Sequence, residues 1–120
     1  MDNKLCHFEI ASKDVEKAMK FYSTIFNWKI NWDEKMNYGM IDTGAYPGGG
    51  LDKAKEDQPP GINLYILVES IEETLKNIVN NGGKVIVEKS EIPTIGWFAH
   101  FADPDGNVLG IYEHLEKDKG

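Results

Sequence analysis

Residues 62–83, INLYILVESIEETLKNIVNNGG, decide the fold, because they change from a strand pattern to a helix pattern within one short stretch. The first seven residues alternate as a half-buried strand does, and the apolar residues between 71 and 79 recur at helical spacing. Ser70 with Glu73 matches a capping box, in which each side chain satisfies an orphan N–H at the helix start. Asn81-Gly82-Gly83 is typical of a helix end, since glycine readily adopts the left-handed conformation.

The same pattern occurs earlier in the chain, at an offset of 56 residues. The equivalent pairs are Ile10 and Ile66, Val15 and Ile71, Glu16 and Glu72, Met19 and Leu75, Lys20 and Lys76, and Ile30 and Ile86. Later, Gly50-Leu51 corresponds to Gly110-Ile111 at an offset of 60, so the second half has longer turns. An internal repeat fixes the architecture. We therefore predict an α+β fold in which each half is a βαβββ module.

The remaining patterns complete both modules. The first half has strands at about 5–11, 28–32, 38–43 and 50–51 and a helix at 15–26, and the second adds strands at 84–88, 97–102 and 108–113. Asp103-Pro104-Asp105-Gly106 has the residues that a type I turn prefers, which predicts a hairpin with His100 beside Gly110. The chain is thus a single domain, 1–120, with module one at about 4–51, a linker at about 52–61 and module two at about 62–114.

Composition restricts the partners. The net charge is −7, with thirteen cations that are all lysine, so nucleic acid is an improbable partner. The absence of arginine disfavours a strongly anionic ligand, because bidentate clamping of carboxylate or phosphate needs a guanidinium group. A neutral or cationic organic ligand is expected.

The chain has one cysteine, Cys6, which excludes an internal disulfide. Its strand parity predicts an inert thiol in the core, with a nucleophile as the alternative. No signal peptide or membrane-spanning run is visible, so a cytoplasmic location is expected.

Two stretches carry a family resemblance. His7-Phe8-Glu9-Ile10, leading into a helix that ends Phe26-Asn27-Trp28, resembles the opening of the vicinal oxygen chelate superfamily, which includes glyoxalase I, bleomycin-resistance proteins and extradiol dioxygenases. Residues 101–107, FADPDGN, are similar to the last hairpin of that family. The resemblance implies curved mixed sheets around a concave cleft, with the helices outside, and a homodimer.

Strand parity then divides the two faces of each sheet. The apolar positions expected to face the helices are Phe8, Ile10, Leu64, Ile66, Val68, Leu109 and Ile111. The positions predicted to line the cleft and bind a ligand are His7, Glu9, Asn63, Tyr65, Phe98, His100 and Tyr112. Of these, His7 and Glu9 are candidates for acid–base catalysis.

The resemblance also implies where a metal would bind. In metal-dependent members of the superfamily, four side chains hold a divalent ion: a His or Gln on the first strand, a Glu on the fourth, a His on the fifth and a Glu on the eighth. The matching positions here are His7, Gly50, Asn63 and Gly110. Only His7 is a competent ligand, so we expect no cofactor, and we expect the two glycines to leave room where a metal would be held. A non-standard divalent metal site formed by His7, Glu9 and His100 remains the alternative.

Three functions stay open. The first is a metal-free binding protein similar to the bleomycin-resistance branch. The second is an enzyme, a lyase or isomerase related to lactoylglutathione lyase or a dioxygenase-type oxygenase, that uses a non-standard metal site or His7 with Glu9. The third is a role in assembly alone, with the cleft filled by side chains.

Overall fold

A computed structural model describes residues 3–56 and 61–115. These residues form two helices and eight strands, and each half runs strand, helix and three strands, which confirms the predicted α+β class. The elements are β1 (Leu5–Ser12), α1 (Val15–Phe26), β2 (Lys29–Asp33), β3 (Tyr38–Asp42), β4 (Gly49–Lys53), β5 (Gly61–Leu67), α2 (Ile71–Asn80), β6 (Lys84–Ile92), β7 (Gly96–Ala102) and β8 (Val108–His114).

The chain divides into two compact units. The first unit is His7–Asn63, and the second combines the residues from Leu64 onward with those up to Cys6. The strands of the first unit lie in the order β2-β3-β4-β1, and those of the second in the order β5-β8-β7-β6. In each unit one pair is parallel, β1 with β4 and β5 with β8, and the other pairs are antiparallel. The predicted mixed sheets are therefore confirmed.

Helix α1 begins and ends with defined caps. The Asp14 side chain accepts a hydrogen bond from the backbone N–H of Lys17 at 3.1 Å, as an N-cap residue does. Asn27 closes the helix with a φ of 62°. Trp28 follows and stacks on Tyr22, with ring centroids 5.5 Å apart and an interplanar angle of 11°. The second strand accordingly begins after Trp28, whereas the alternating pattern predicted that Trp28 belongs to it.

Helix α2 covers the core of the second unit. The Ser70 hydroxyl accepts a hydrogen bond from the backbone N–H of Glu73 at 3.2 Å, which is the serine half of the predicted capping box. Gly82 follows the helix with a φ of 96°, as predicted for its end. Ile71 and Leu75 are buried with Ala99 and Ile111 of the sheet and with Val68, which follows β5. This contact fixes which face of the sheet the helix covers.

A buried carboxylate ties the end of β8 to the start of α2. Glu113 is 4% exposed, and its Oε1 accepts a hydrogen bond from the backbone N–H of Ile71 at 2.8 Å. Lys89 Nζ lies 3.7 Å from the same oxygen and 4.7 Å from the centre of the Trp97 ring. Glu113 thus satisfies an N–H that the helix itself cannot bond, and the lysine offsets its charge.

The β7–β8 hairpin has the predicted turn. The backbone N–H of Gly106 donates to the carbonyl of Asp103 at 2.9 Å, and the N–H of Asp103 donates to the carbonyl of Asn107 at 2.8 Å. A hydrogen bond from the Asn107 side chain, with backbone N–H groups of the turn, holds the pKa of Asp103 below its ordinary value. The resulting register places His100 opposite Gly110, as predicted.

Some expectations differ from the structure in detail. β4 continues to Lys53, two residues beyond the predicted end of module one, and residues 57–60 of the predicted linker lie outside the described residues. Leu64, expected to face a helix, is 40% exposed. Cys6 is half-buried, and burial raises the pKa of its thiol. Across 3–56 and 61–115, neither helix is long and apolar enough to cross a membrane.

Candidate functional site

The first unit has a polar cluster on the sheet face that bears His7 and Glu9. The register pairs Glu9 with Gly50, and Gly50 with Met40, so the side chains of these positions share one face. Phe8 points to the opposite face, where its ring lies 5.9 Å from the ring of Trp28. Because successive side chains of β1 point to opposite faces, the aromatic contact and the polar cluster lie on different faces of the sheet.

A tyrosine that the sequence analysis did not select joins the two candidate residues. The Tyr38 hydroxyl donates a hydrogen bond to Glu9 Oε2 at 2.8 Å and lies 2.9 Å from His7 Nε2. A phenol has one proton to donate. When that proton points to the Glu9 carboxylate, His7 must donate from Nε2, which fixes the tautomer of the neutral imidazole. When Glu9 is protonated instead, it can donate to Tyr38, and Tyr38 can donate to His7.

The space above Gly50 is not vacant. A Cβ atom added at Gly50 would lie 2.6 Å from Cε2 of Tyr38 and closer still to its hydroxyl oxygen. The expectation that the glycines leave room is therefore wrong at this position. Tyr38 extends from β3 across Gly50 to reach β1, and glycine is the residue that permits so close an approach.

Burial shifts the proton affinities within this cluster. It raises the pKa of Glu9 above its ordinary value; the hydrogen bond from Tyr38 opposes that shift, and repulsion from Asp52 adds to it. Burial also lowers the pKa of His7. Both shifts favour uncharged groups, since burial penalises the charged form of each. A proton that enters the cluster is thus retained more readily on Glu9, and less readily on His7, than it would be in water.

The second unit repeats the arrangement with different strands. The register places Gly110 between Tyr65 on β5 and His100 on β7. The Tyr65 hydroxyl lies 2.9 Å from His100 Nε2, and a Cβ added at Gly110 would overlap the Tyr65 ring. The predicted room is absent here as well. Burial lowers the pKa of His100, so the imidazole is favoured in its neutral form.

The other predicted ligand-binding residues have separate surroundings. The ring of Phe98 lies 5.5 Å from that of His100, centroid to centroid, and the register places Phe98 opposite Tyr112. The Tyr112 hydroxyl donates to the carbonyl of Ile95 at 3.0 Å instead of to His100. Asn63 is half-buried, and its side chain makes no hydrogen bond to the described part of the chain. The role of all seven in ligand binding stays a prediction.

The four family positions do not form a set of metal ligands. Gly50 and Gly110 offer no side-chain donor, and tyrosine rings occupy the places that carboxylates on β4 and β8 would take. His7 Nε2 is hydrogen-bonded to a phenol, and an amide such as Asn63 is a weak neutral donor. Within 3–56 and 61–115, no three His, Cys, Asp or Glu side chains are grouped so that they could hold an ion. The residues present do not fit the divalent metal of the superfamily.

Two strand–helix–three-strand units, each with a histidine and a tyrosine on one sheet face, define a small duplicated α+β protein. The sequence matches the glyoxalase/bleomycin resistance protein/dioxygenase superfamily over residues 4–111. Because this match covers most of the chain, the protein belongs to that superfamily. The resemblance seen in the opening strand and in the last hairpin is thereby confirmed.

Individual relatives support the same family and fold. A glyoxylase-like domain-containing protein from Didymella fabae is 29% identical over 120 residues, which cover 92% of this chain and 94% of that protein. A hypothetical protein from Bacillus halodurans C-125 has a similar structure, with a TM-score of 0.76 at 22% identity over 100% of both chains. Methylmalonyl-CoA epimerase from Mycobacterium tuberculosis has a TM-score of 0.71 at 16% identity, over 95% of this chain and 89% of that one. The two structural likenesses show the fold alone.

Tyr38 is the residue of the site that the sequence analysis missed. Its strand was predicted, but an aromatic residue on a strand is usually part of a core. The signal that could have found it is Gly50 on the neighbouring strand, because a glycine within a strand often marks the close approach of another group.

Proposed function

We propose that this protein binds a small neutral or cationic organic molecule and does so without a divalent metal. Membership of the superfamily supports small-molecule binding in general. The observation that carries the metal-free part is the Tyr38 hydroxyl, which bonds to His7 and Glu9 directly above Gly50. Polar groups that a metal would otherwise organise are held in place there by a phenol.

The chemistry of the proposed site favours such a ligand. The proposed contacts come from His7, Glu9, Asn63, Tyr65, Phe98, His100 and Tyr112. Two of these are imidazoles that burial keeps neutral, and one is a carboxylate. Neutral imidazoles exchange hydrogen bonds with uncharged groups, whereas the aromatic rings and the carboxylate attract a cation. With a net charge of −7 and no arginine, the chain offers little to an anion.

A second candidate function is acid–base catalysis. It is favoured by the continuous hydrogen-bonded series from Glu9 through Tyr38 to His7. In this function Glu9, whose pKa is raised, would accept a proton from the substrate or return one, and Tyr38 would relay protons to His7. A lyase or isomerase reaction needs such transfers. Loss of turnover in Glu9→Gln with retained ligand binding would support this role, and unchanged turnover would refute it.

Metal dependence is tested on the purified protein. Its thermal unfolding is followed with Mn²⁺, Ni²⁺ or Zn²⁺ and with EDTA, and the bound metal content is measured. A metal at about 100 times its Kd would stabilise the native state by roughly 2.7 kcal/mol. We expect no such stabilisation. A metal response that His7→Ala abolishes, and that the matched variant His114→Ala retains, would overturn the metal-free proposal.

Ligand class is tested by ligand-observed NMR with two sets of probes, benzylamines, which are cationic at neutral pH, and uncharged aromatic amides, beside matching aromatic carboxylates. We expect amines or amides to bind and carboxylates not to bind. Binding should weaken in His7→Ala and persist in His114→Ala. Preferential binding of the carboxylates would refute the proposed ligand class.

We further propose that the protein acts as a cytoplasmic homodimer. Light scattering tests the dimer, because it should give twice the mass of one chain.

A further inference from the structure

Both units contain the same three-part arrangement, which we call the tyrosine bridge. In each, a tyrosine lies over a strand glycine, and its hydroxyl is 2.9 Å from Nε2 of a histidine. The histidine and the tyrosine exchange strands between the two units. The first unit has its histidine on the first strand of the module and its tyrosine on the third, whereas the second has its tyrosine on the first and its histidine on the third. The bridge is therefore not a simple copy made by the repeat.

We infer that Tyr38 and Tyr65 exclude the carboxylates that would complete a metal site, because each ring overlaps the position of any Cβ at Gly50 or Gly110. This inference rests on the proposed function. It adds that the tyrosines are a second barrier to a metal, beyond the missing side chains at positions 50 and 110. A carboxylate restored at either glycine would meet a tyrosine there.

The contacts of Tyr38 support this role in two ways. Its ring and hydroxyl overlap the position of any Cβ at Gly50, so a side chain there and Tyr38 in its present position exclude each other. Its hydroxyl also bonds to Glu9 Oε2 and to His7 Nε2, the atoms that would otherwise face an incoming ion. The Glu9 oxygen must lose the hydrogen bond that it accepts from the phenol before it can bind a metal, and His7 must lose the proton that Nε2 carries when Tyr38 donates to Glu9.

The geometry of the sheet shows what the site would become without the tyrosine. Glu9 and Gly50 are direct neighbours on β1 and β4, and His7 lies two residues before Glu9 on the same face. A glutamate at position 50 would therefore be the third ligand beside an imidazole and a carboxylate. Three such donors on one face suit a divalent first-row metal with open positions.

The test uses five proteins: the natural chain, Gly50→Glu, Tyr38→Val, the double variant Tyr38→Val/Gly50→Glu, and that double variant with His7→Ala. Valine keeps a residue that suits a strand and removes the ring. Thermal unfolding is measured with excess Mn²⁺ or Zn²⁺ and with EDTA, and folding is checked by circular dichroism. We expect a metal-dependent rise in Tm of roughly 10 °C, at about 100 times Kd, only in the double variant that retains His7.

Each outcome has a defined meaning. A metal response in Gly50→Glu equal to that of the double variant would overturn the inference, because Tyr38 would then exclude nothing. A folded double variant whose Tm does not change with metal would also overturn the inference. If the Tm of the natural protein does not change with metal either, the proposed function still holds. A response of the natural protein that depends on His7 would instead overturn the proposed function.

A second pair of substitutions covers failure to fold. If Tyr38→Val/Gly50→Glu does not fold, Tyr38→Ala/Gly50→Asp is measured in the same way, since its side chains are smaller. Folding with a metal response supports the inference, and folding without one overturns it. Tyr38→Ala is prepared beside Tyr38→Val as a second single variant. If both single variants fold and neither double variant folds, Gly50 is required for a reason other than Tyr38, and the inference is wrong.

Discussion

Replacing Gly50 with alanine adds one methyl group and should test the tyrosine bridge directly. The new Cβ would lie 2.6 Å from Cε2 of Tyr38, whereas carbon atoms in ordinary contact lie about 3.5–4.0 Å apart. The ring must therefore withdraw by about 1 Å or more. The hydroxyl bonds of 2.8 Å to Glu9 and 2.9 Å to His7 would then exceed the length at which they count as hydrogen bonds.

The expected loss of stability follows from these two bonds. A hydrogen bond to a charged group contributes about 1.5–3 kcal/mol and a neutral one about 0.5–1.5 kcal/mol, so losing both costs about 3 kcal/mol. Alanine also restricts the unfolded chain, which returns about 0.4–1 kcal/mol. The net loss for Gly50→Ala is about 2 kcal/mol. For a domain of this size that corresponds to a fall in Tm of roughly 6–10 °C.

Urea unfolding gives the free energy of unfolding and the m-value of each variant. The matched control is Gly61→Ala, because a Cβ at Gly61 meets nothing within 4 Å. This variant should keep or slightly increase the stability of the natural protein. In a Tyr38→Ala background, Gly50→Ala should cost little, so the double-mutant cycle should show a coupling of about 2–3 kcal/mol. Equal midpoints for Gly50→Ala and Gly61→Ala in the natural background would refute the reasoning.

Further predictions concern titration and the helix start. Tyr38→Phe should raise the pKa of Glu9 further, because it removes the hydrogen bond that opposes the effect of burial; a carboxyl ¹³C titration measures this, and an unchanged pKa would contradict it. The pKa of Glu9 is higher in the folded protein than the value of about 4.3 in the unfolded chain, so the stability of the fold should decrease as pH rises from about 4.3 through the folded pKa. Glu9→Gln should remove this decrease when Tm is measured against pH. The lowered pKa of His100 has the opposite sign, so stability should decrease as pH falls below about 6.5, and less so in His100→Gln. Glu113→Ala should cost about 2–4 kcal/mol in urea unfolding because it leaves the N–H of Ile71 buried without its acceptor, whereas Glu113→Gln should cost less.

Much of the fold could be predicted because the decisive signals are local. The cap at Ser70 and the turn at Asp103 depend on neighbouring residues, and the register of a tight hairpin follows from its turn, which placed His100 opposite Gly110. The repeat then transferred the pattern of one half to the other. The start of β2 was harder to predict, because Trp28 continues an alternating pattern although Asn27 has already turned the chain.

The site was only partly predictable for a different reason. Strand parity put His7 and Glu9 on one face, since alternation is a property of a single strand. The hydrogen bonds of Tyr38 depend on how far a side chain reaches diagonally across a neighbouring strand, and sequence alone does not contain that distance. The same limit explains the wrong expectation of room above Gly50 and Gly110. Because protein interiors are closely packed, a neighbouring ring fills the space above a glycine in a sheet.

The position of Trp97 makes it a natural optical reporter. The other two tryptophans, Trp28 and Trp32, belong to the first unit, and Trp97 alone belongs to the second. Lys89 lies over its ring, so release of this cation on unfolding should change the indole emission. With Trp28 and Trp32 replaced by phenylalanine, fluorescence would follow the second unit by itself. Coincidence of that transition with the loss of circular dichroism would show that the duplicated halves unfold as one cooperative body.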